Sequence, residues 1–316
     1  MKLIVLIPIL VILSIISLFI GVIPLNPTDM FNLTDQQIQI IFISRIPRVI
    51  SIVMAGVGLS ISGLIMQQLS RNKFVSPTTA GTMDSARLGI LVAMMLFGSA
   101  TPMERTIVAF IFALLGTFIF MKLLDKIKFK DPVFIPLVGL MFGSVISSIT
   151  TFFAYQHDLI QNMSAWLQGN FALILQGQYE LLYLSVPLVI FAYLFANRFT
   201  IAGMGEDFSK NLGLNYRVIV NIGLTIVALM TSVVVLTVGT IPFLGLVVPN
   251  IVSMYHGDHL KRSLPHTALL GAIFLLVMDI LGRVIIFPYE IAIGVVVGVV
   301  GSFIFLYLVM RRSVYE

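Results

Sequence analysis

Long apolar stretches follow one another along almost the whole chain, separated by short polar segments. A membrane-spanning helix needs about 20 mostly apolar residues. Ten stretches come close to that length, at residues 3–23, 49–69, 86–100, 104–121, 133–155, 179–197, 218–238, 240–254, 266–287 and 290–310. The pattern predicts an all-α, polytopic membrane protein with about ten transmembrane helices, in which residues 1–316 form one transmembrane domain.

The most polar interruption, residues 198–217, has the pattern of a short helix between two spans. Three apolar residues recur every four positions and would share one helical face: Met204, Phe208 and Leu212. Glu206 and Asp207 would lie in the first turn, where the helix dipole favours negative charge. Gly213 stands where a C-terminal cap is expected. The pattern predicts a short helix that lies on the membrane or presses into another protein.

Composition and charge agree with a membrane protein and orient it. Hydrophobic residues make up 59% of the chain and charged residues 10%, whereas soluble domains have about 25% charged residues. With the N-terminus inside, all but four of the 19 Lys and Arg residues lie in or beside inner segments. We therefore expect a multi-pass cell-membrane protein, in contact with lipid, with both termini in the cytoplasm. The net charge of +5 reflects this bias, so no nucleic-acid partner is expected.

The four basic residues on the outer side are Arg45, Arg48, Arg105 and Arg283. The first two and Arg283 would form a positive outer surface that attracts an acidic partner. Asp279 and Arg283 are ionisable residues inside a span, which are costly and indicate function. They lie four positions apart, so a local structural pair is the alternative. The single tryptophan, Trp166, is interpreted as an anchor at the membrane interface.

Two further segments could line a passage. Residues 239–250 carry prolines and glycines at membrane depth, which predicts a broken helix beside a pathway or a plain structural kink. Its candidate residues are Pro242, Gly245, Pro249 and Asn250. The fifth predicted span is rich in hydroxyl groups, which could line a polar passage or bond back to their own helix. These candidates are Ser144, Ser147, Ser148, Thr150 and Thr151.

The sequence carries no sign of an enzyme. It lacks H-E-x-x-H, G-x-S-x-G and the G-x-x-x-x-G-K-[ST] loop that binds ATP. Cysteine is absent, which excludes disulfides and cysteine metal sites. His256, Asp258 and His259 stand in an inner loop without companion ligands, so we expect no metal site and no cofactor. If ATP drives the protein, the ATPase is another polypeptide.

Several motifs carry a family resemblance. Arg45-Ile-Pro-Arg48 opens the second span, and Gly58-Leu-Ser-Ile-Ser-Gly63 and Gln67 follow it. Gly205-Glu206 and Leu212-Gly213 flank the short helix, and Gly239-x-Ile-x-Phe-x-Gly245-Leu-x-x-Pro249 opens the eighth span. The C-terminal part of the family pattern consists of six more residues: Gly271, Asp279, Arg283, Pro288, Glu290 and Gly294. Together they resemble the FecCD-like permeases, the membrane subunits of ABC importers for iron-siderophores, haem and cobalamin, from about residue 40 to 310.

The resemblance implies an architecture and partners. Two permeases, copies or relatives, stand side by side with a passage between them, lined by the fifth, eighth and tenth spans. Two cytoplasmic ATPases lie beneath, and an extracellular substrate-binding protein docks outside. The short cytoplasmic coupling helix would enter the ATPase through Gly205, Glu206, Asp207, Phe208, Leu212 and Gly213. The outer arginines Arg45, Arg48 and Arg283 would receive acidic residues of the binding protein.

Some positions depart from the family pattern. Met204 replaces a leucine, Lys73 replaces a proline, Asn250 replaces a histidine, and Ser253 replaces an arginine. The segments 71–81 and 248–255 look most like the catecholate or mixed catecholate–citrate branch, which includes petrobactin permeases. We therefore expect import of a ferric siderophore. The alternatives are a haem or cobalamin ABC permease, or an ion-coupled secondary transporter with Asp279 as its titrating group.

Overall fold

The structure is a computed structural model that describes residues 2–23, 34–97, 102–126 and 134–312. Thirteen α-helices occur in these ranges. They are α1 Leu3–Phe19, α2 Asp35–Ile40, α3 Ile46–Leu69, α4 Thr82–Leu96, α5 Pro102–Lys126, α6 Phe134–Gln156, α7 Ile160–Leu167, α8 Ser185–Met204, α9 Glu206–Asn211, α10 Tyr216–Val238, α11 Leu244–His256, α12 Leu260–Val284 and α13 Ile293–Arg312. A π-helical turn, Ile41–Arg45, joins α2 to α3.

A helix stands at each of the ten predicted spans. Seven helical segments within the described ranges are long and apolar enough to cross a membrane. Helices α1 and α11 are apolar but shorter, and α4 has 15 residues. The all-α, polytopic prediction is therefore confirmed, whereas the count of ten crossings is not. The predicted third span, 86–100, is displaced to Thr82–Leu96, and its residues 98–100 lie outside the described ranges.

The predicted break between the seventh and eighth spans is present. Helix α10 ends at Val238, and α11 begins only at Leu244. Gly239 has a φ of 90° and Phe243 a φ of 60°, so both ends of the break lie in the left-handed region. The backbone amide of Thr240 donates to the Leu167 carbonyl at 2.9 Å, which satisfies a polar group that the broken helix leaves free.

Helix α3 lies at the centre of the bundle and packs against α10, α11 and α12. Where α3 crosses α11, a Cβ added to Gly63 would lie 1.7 Å from the Gly245 carbonyl oxygen. The two backbones therefore touch, which only glycine permits at this distance. Much of the buried apolar core gathers around α3, including Ile61, Ile65 and Met66, each 0% exposed.

The helical bundle has two opposite ends, which take their names from Gly205 and Arg48. The Gly205 end contains the loop after α3, helix α9 and the loop between α11 and α12, and its contacts include the Lys73–Asp258 ion pair. The Arg48 end contains the start of α3, the close of α12 and the segment 157–184, where the Gln176 amide donates to the Ile43 carbonyl at 2.9 Å. By the charge rule, the Gly205 end is predicted to face the cytoplasm.

Candidate functional site

Helix α9 confirms the short helix predicted between the sixth and seventh spans. Glu206 and Asp207 lie in its first turn. Gly205 precedes it with a φ of 122°, and Gly213 follows it with a φ of 75°. The amide of Gly213 donates to Lys210, and that of the next residue to the carbonyl of Ser209, both at 2.9 Å. This is the Schellman arrangement that ends a helix at glycine.

The three apolar residues predicted to share one helical face are all exposed at or beside α9. Met204 is 57% exposed, Phe208 47% and Leu212 55%. Three large apolar side chains on a polar segment, without cover from the described part of the chain, are typical of a surface that contacts another protein or a lipid. The prediction of one helix that carries all three residues is wrong, because Met204 ends α8, Gly205 interrupts the helix, and Leu212 follows the last residue of α9. The three side chains are nevertheless all exposed.

The opposite side of α9 is fixed to the bundle. Ser209 is fully buried, and its hydroxyl donates to the carbonyls of Gly205 at 2.6 Å and Ile201 at 3.2 Å. A Cβ on Gly205 would lie 2.0 Å from Nη2 of Arg71, so the Arg71 guanidinium lies directly on the glycine backbone. Helix α9 is therefore in contact with the end of α8 through Ser209 and with the loop after α3 through Arg71.

The predicted outer arginines lie together at the Arg48 end, in a cluster with two acidic residues. Arg48 contacts Asp279 Oδ1 through Nη2 at 2.8 Å and Glu290 Oε2 through Nη1 at 2.8 Å. Arg283 contacts Asp279 Oδ2 at 2.6 Å. The local pair between Asp279 and Arg283 is thus present, but Arg48 extends it into a network that joins α3 to α12, with Arg48 and Asp279 separated by 231 positions in the chain.

The expectation of an open positive surface needs correction. Arg45 is 7% exposed and donates to the carbonyls of Leu18 and Ile23. Arg283 is 4% exposed and donates to the carbonyls of Ser17 at 2.9 Å and Ile20 at 2.8 Å. Both arginines bind the end of α1, because that helix leaves its last carbonyls without intrahelical partners. In this conformation neither side chain is presented to a partner.

The hydroxyl groups of α6 make two kinds of contact. Ser144 and Ser148 donate to carbonyls one turn back at 2.8 Å, which is the alternative weighed in the sequence. Ser147 instead lines a small cavity of about 70 Å³ between α4, α6 and α7. Thr150, Thr151 and Arg87 also line this cavity.

Three of the four candidates near the helix break pack inside the chain. Gly245 and Pro249 are buried, and a Cβ on Gly245 would lie 2.7 Å from the ring of Pro77 and 2.8 Å from the Leu59 carbonyl. Asn250 Nδ2 donates to the Lys73 carbonyl at 2.7 Å and to the Leu246 carbonyl at 2.8 Å. Pro242 alone is exposed. Their role in a pathway stays a prediction.

Sequence reasoning missed two ionisable residues of α4. Arg87 was counted with the inner segments because the predicted span began only one residue earlier. The helix in fact begins at Thr82, so Asp84 and Arg87 both lie within it. A Cβ on Gly143 would lie 2.4 Å from Oδ2 of Asp84, so this carboxylate lies against α6. An arginine inside the first turns of an apolar helix was the available signal.

Comparisons with known proteins find the same family along nearly the whole chain. The sequence model described as the FecCD transport family matches residues 9–311. A petrobactin import system permease of Bacillus subtilis is 64% identical over 315 residues and covers 100% of both chains. A ferric-anguibactin transport system permease of Vibrio anguillarum is 41% identical over 86% of this chain and 87% of its own.

One solved structure shows the same fold. It is an inward-facing metal-chelate type ABC transporter, and it superposes with a TM-score of 0.84 over 97% of both chains. Its sequence is 24% identical, so this likeness concerns the arrangement of helices alone.

Proposed function

Because the chain belongs to the FecCD transport family, we propose that it acts as the membrane subunit of an ABC importer that carries a ferric siderophore into the cytoplasm. Relatives named as siderophore permeases match most or all of its length. The chain does not catalyse a reaction itself in this account. A separate ATPase supplies the energy.

The observation that carries the proposal is the group of exposed apolar side chains at and beside α9. A transport subunit without an ATP-binding loop must receive its power stroke through a contact. Three apolar side chains, each about half exposed, can contact a partner protein here: Met204, Phe208 and Leu212. The fixed side of the helix reaches α8 through Ser209 and the loop after α3 through Arg71. A movement of the ATPase would therefore be transmitted to two connections of the bundle.

The proposed importer role also gives the orientation of the chain and two further partners, a second permease and a substrate-binding protein. The Gly205 end faces the cytoplasm and both termini lie there, in agreement with the distribution of Lys and Arg. A second permease, a copy or a relative, completes the passage. Helix α6 contributes to that passage, since Ser144 and Ser148 are exposed and Phe152 is 65% exposed. A substrate-binding protein docks outside.

Docking of the binding protein is proposed at the Arg48 end. Arg48 is the one of the three predicted arginines that pairs with a partly exposed carboxylate, since the side chain of Glu290 is 25% exposed. An acidic residue of the binding protein can replace Glu290 at Arg48 without uncovering Asp279, whose side chain is 2% exposed. Arg45 and Arg283 support this surface from beneath.

The substrate class is proposed from the relatives. The permeases named for petrobactin and anguibactin are 64% and 41% identical to this chain. We assign a catecholate or petrobactin-like ferric chelate, and haem and cobalamin become outcomes of the test. An ion-coupled mechanism loses its candidate group, because Asp279 is held by both Arg48 and Arg283.

Radiolabelled iron uptake tests the proposal. A strain without this gene, with and without complementation, is supplied with catecholate, citrate-type and hydroxamate ferric chelates. Loss of catecholate uptake alone, restored by complementation, supports the assignment. Loss confined to another ferric chelate would correct the substrate, as would loss of labelled haem uptake or of cobalt-labelled cobalamin uptake measured in parallel. Uptake that stops with an uncoupler while ATP stays high would overturn the ABC mechanism.

A further inference from the structure

A cavity of about 600 Å³ opens at the Arg48 end, between α5, α7, the segment after α7 and the end of α10. Ligand sites in proteins commonly have volumes of about 300–1,000 Å³. The cavity contains the fourth outer arginine, Arg105, and the single tryptophan, Trp166. The function described above uses neither residue.

Arg105 is the charged group of this cavity. Its guanidinium carbon lies 5.9 Å from the centre of the Trp166 ring. Its Nε is buried and has no hydrogen-bond partner among the described residues. Among the described residues that line the cavity, none is acidic. A buried donor without a partner is costly. The Arg105 side chain as a whole is only half-buried, so the rest of its guanidinium can reach an anion in the cavity.

Amide side chains and apolar residues complete the lining. Asn162, Gln168, Asn170 and Gln178 can donate or accept hydrogen bonds, while Leu236 and Met94 are among the apolar members. The combination of apolar surface with a few polar groups is typical of small-molecule sites.

The wall of the cavity is held in place by backbone hydrogen bonds. The amide of Asn170 donates to the Val238 carbonyl at 2.9 Å, and that of Thr240 donates to the Leu167 carbonyl at 2.9 Å. The amide of Gly294 donates to the Gly169 carbonyl at 3.1 Å. The wall thus joins α7 to the break between α10 and α11 and to the start of α13. A preformed wall of this kind lowers the conformational entropy that the protein loses when a ligand binds.

We infer that this cavity is a binding site for an anionic aromatic group, such as one dihydroxybenzoate arm of a ferric siderophore. The inference rests on the proposed function for the source of the ligand. The Arg105 guanidinium pairs with the carboxylate of free dihydroxybenzoate, or with the catecholate oxygens of an arm whose carboxyl is amide-linked, and the Trp166 indole stacks on the ring. The amides hydrogen-bond to the remaining oxygens.

The single tryptophan makes a direct test possible. The full-length chain in nanodiscs is titrated with 2,3-dihydroxybenzoate while Trp166 emission is recorded. Free N-acetyltryptophanamide corrects for absorption by the probe. Inorganic phosphate, citrate and catechol are titrated in parallel, since they supply charge without a ring or a ring without the carboxylate. Far-UV circular dichroism checks that each variant is folded.

Two variants and one control sharpen the result. Arg105→Gln removes the cation and should weaken binding about tenfold or more. Ala165→Leu fills the cavity without changing charge and should also weaken binding, which keeps the test valid if the first variant folds poorly. The control is Arg198→Gln. Arg198 lies in α8, where its guanidinium is 4.8 Å from the Phe195 ring centre, and α8 contributes no described residue to the cavity lining. Binding by this variant should therefore match the wild type.

Saturable quenching by dihydroxybenzoate that both variants lose and the control keeps would establish the site. No response in the wild type, or an equal response to phosphate, would overturn the assignment to an aromatic anion. Uptake of a catecholate ferric chelate in cells separates this failure from that of the proposed function. Normal uptake without quenching refutes only the cavity, and absent uptake refutes the importer assignment.

Discussion

Asn250 of α11 donates a hydrogen bond from Nδ2 to the backbone carbonyl of Lys73, across 2.7 Å. Both residues depart from the pattern of the family that the chain resembles, and the structure places them against each other. The Lys73 ammonium also pairs with Asp258 in the loop after α11. These contacts join the loop after α3 to the middle of α11 and to the loop that follows α11.

This contact predicts the effect of Asn250→Leu. The substitution removes hydrogen bonds to the carbonyls of Lys73 and Leu246. We expect the free energy of unfolding to fall by about 1 kcal/mol, the usual size of such side-chain bonds in membrane proteins. Thermal unfolding in detergent measures it. Ser253→Ala, which loses one 3.1 Å bond within the same helix, serves as the control. Equal stability of Asn250→Leu and wild type would show that the contact between α11 and the loop after α3 does not stabilise the fold.

The crossing of α3 and α11 predicts a strong effect of Gly63→Ala. The new Cβ would lie 1.7 Å from the Gly245 carbonyl oxygen, so the helices must separate. We expect a loss of about 3 kcal/mol in the free energy of unfolding, together with poor expression. Gly58→Ala in the same helix is the matched control, because its Cβ would meet only side-chain atoms at 3.5 and 3.7 Å. If both variants unfolded at the same temperature, the backbone contact would be unimportant.

The network around Asp279 predicts non-additive stability. Arg48→Gln leaves Asp279 with Arg283 alone and Glu290 without its arginine. Removing one partner of a buried ion pair costs about 3 kcal/mol or more. The double variant Arg48→Gln/Asp279→Asn should recover part of that loss, since the buried negative charge is also removed. A double-mutant cycle on thermal unfolding tests this. Strictly additive losses would show that the two side chains do not interact.

The sequence was informative where the signal is local. The short helix α9 and its flanking glycines follow from spacing within ten residues, and both are present in the structure, although Met204 ends α8 and does not join α9. The contacts of Arg45 and Arg283 were not predictable, because their partners are backbone carbonyls of α1. Every residue has a carbonyl, so no sequence pattern marks the one that will be free.

The same distinction between local and long-range signals applies to the helix boundaries and to the residues that meet in the Arg105 cavity. The start of α11 was predicted at residue 240, but the helix begins at Leu244 because the break extends through Phe243. The cavity of Arg105 and Trp166 joins segments about 60 residues apart in the chain. Nothing in either segment alone indicates the other, so the sequence left one residue as an outer charge and the other as an anchor.

The central claim is that α9 connects ATP hydrolysis in a partner to siderophore import. Iron uptake by cells carrying Glu206→Lys/Asp207→Lys tests it most directly, with the amount of inserted protein measured in the same membranes. Lys210→Ala is the control. It removes the exposed 2.7 Å pair with Glu206, which contributes little to stability. The account predicts uptake below about a tenth of wild type for the double variant, since two reversed charges in the first turn oppose the helix dipole and the partner surface. Normal uptake by the inserted double variant would contradict the coupling role of this helix.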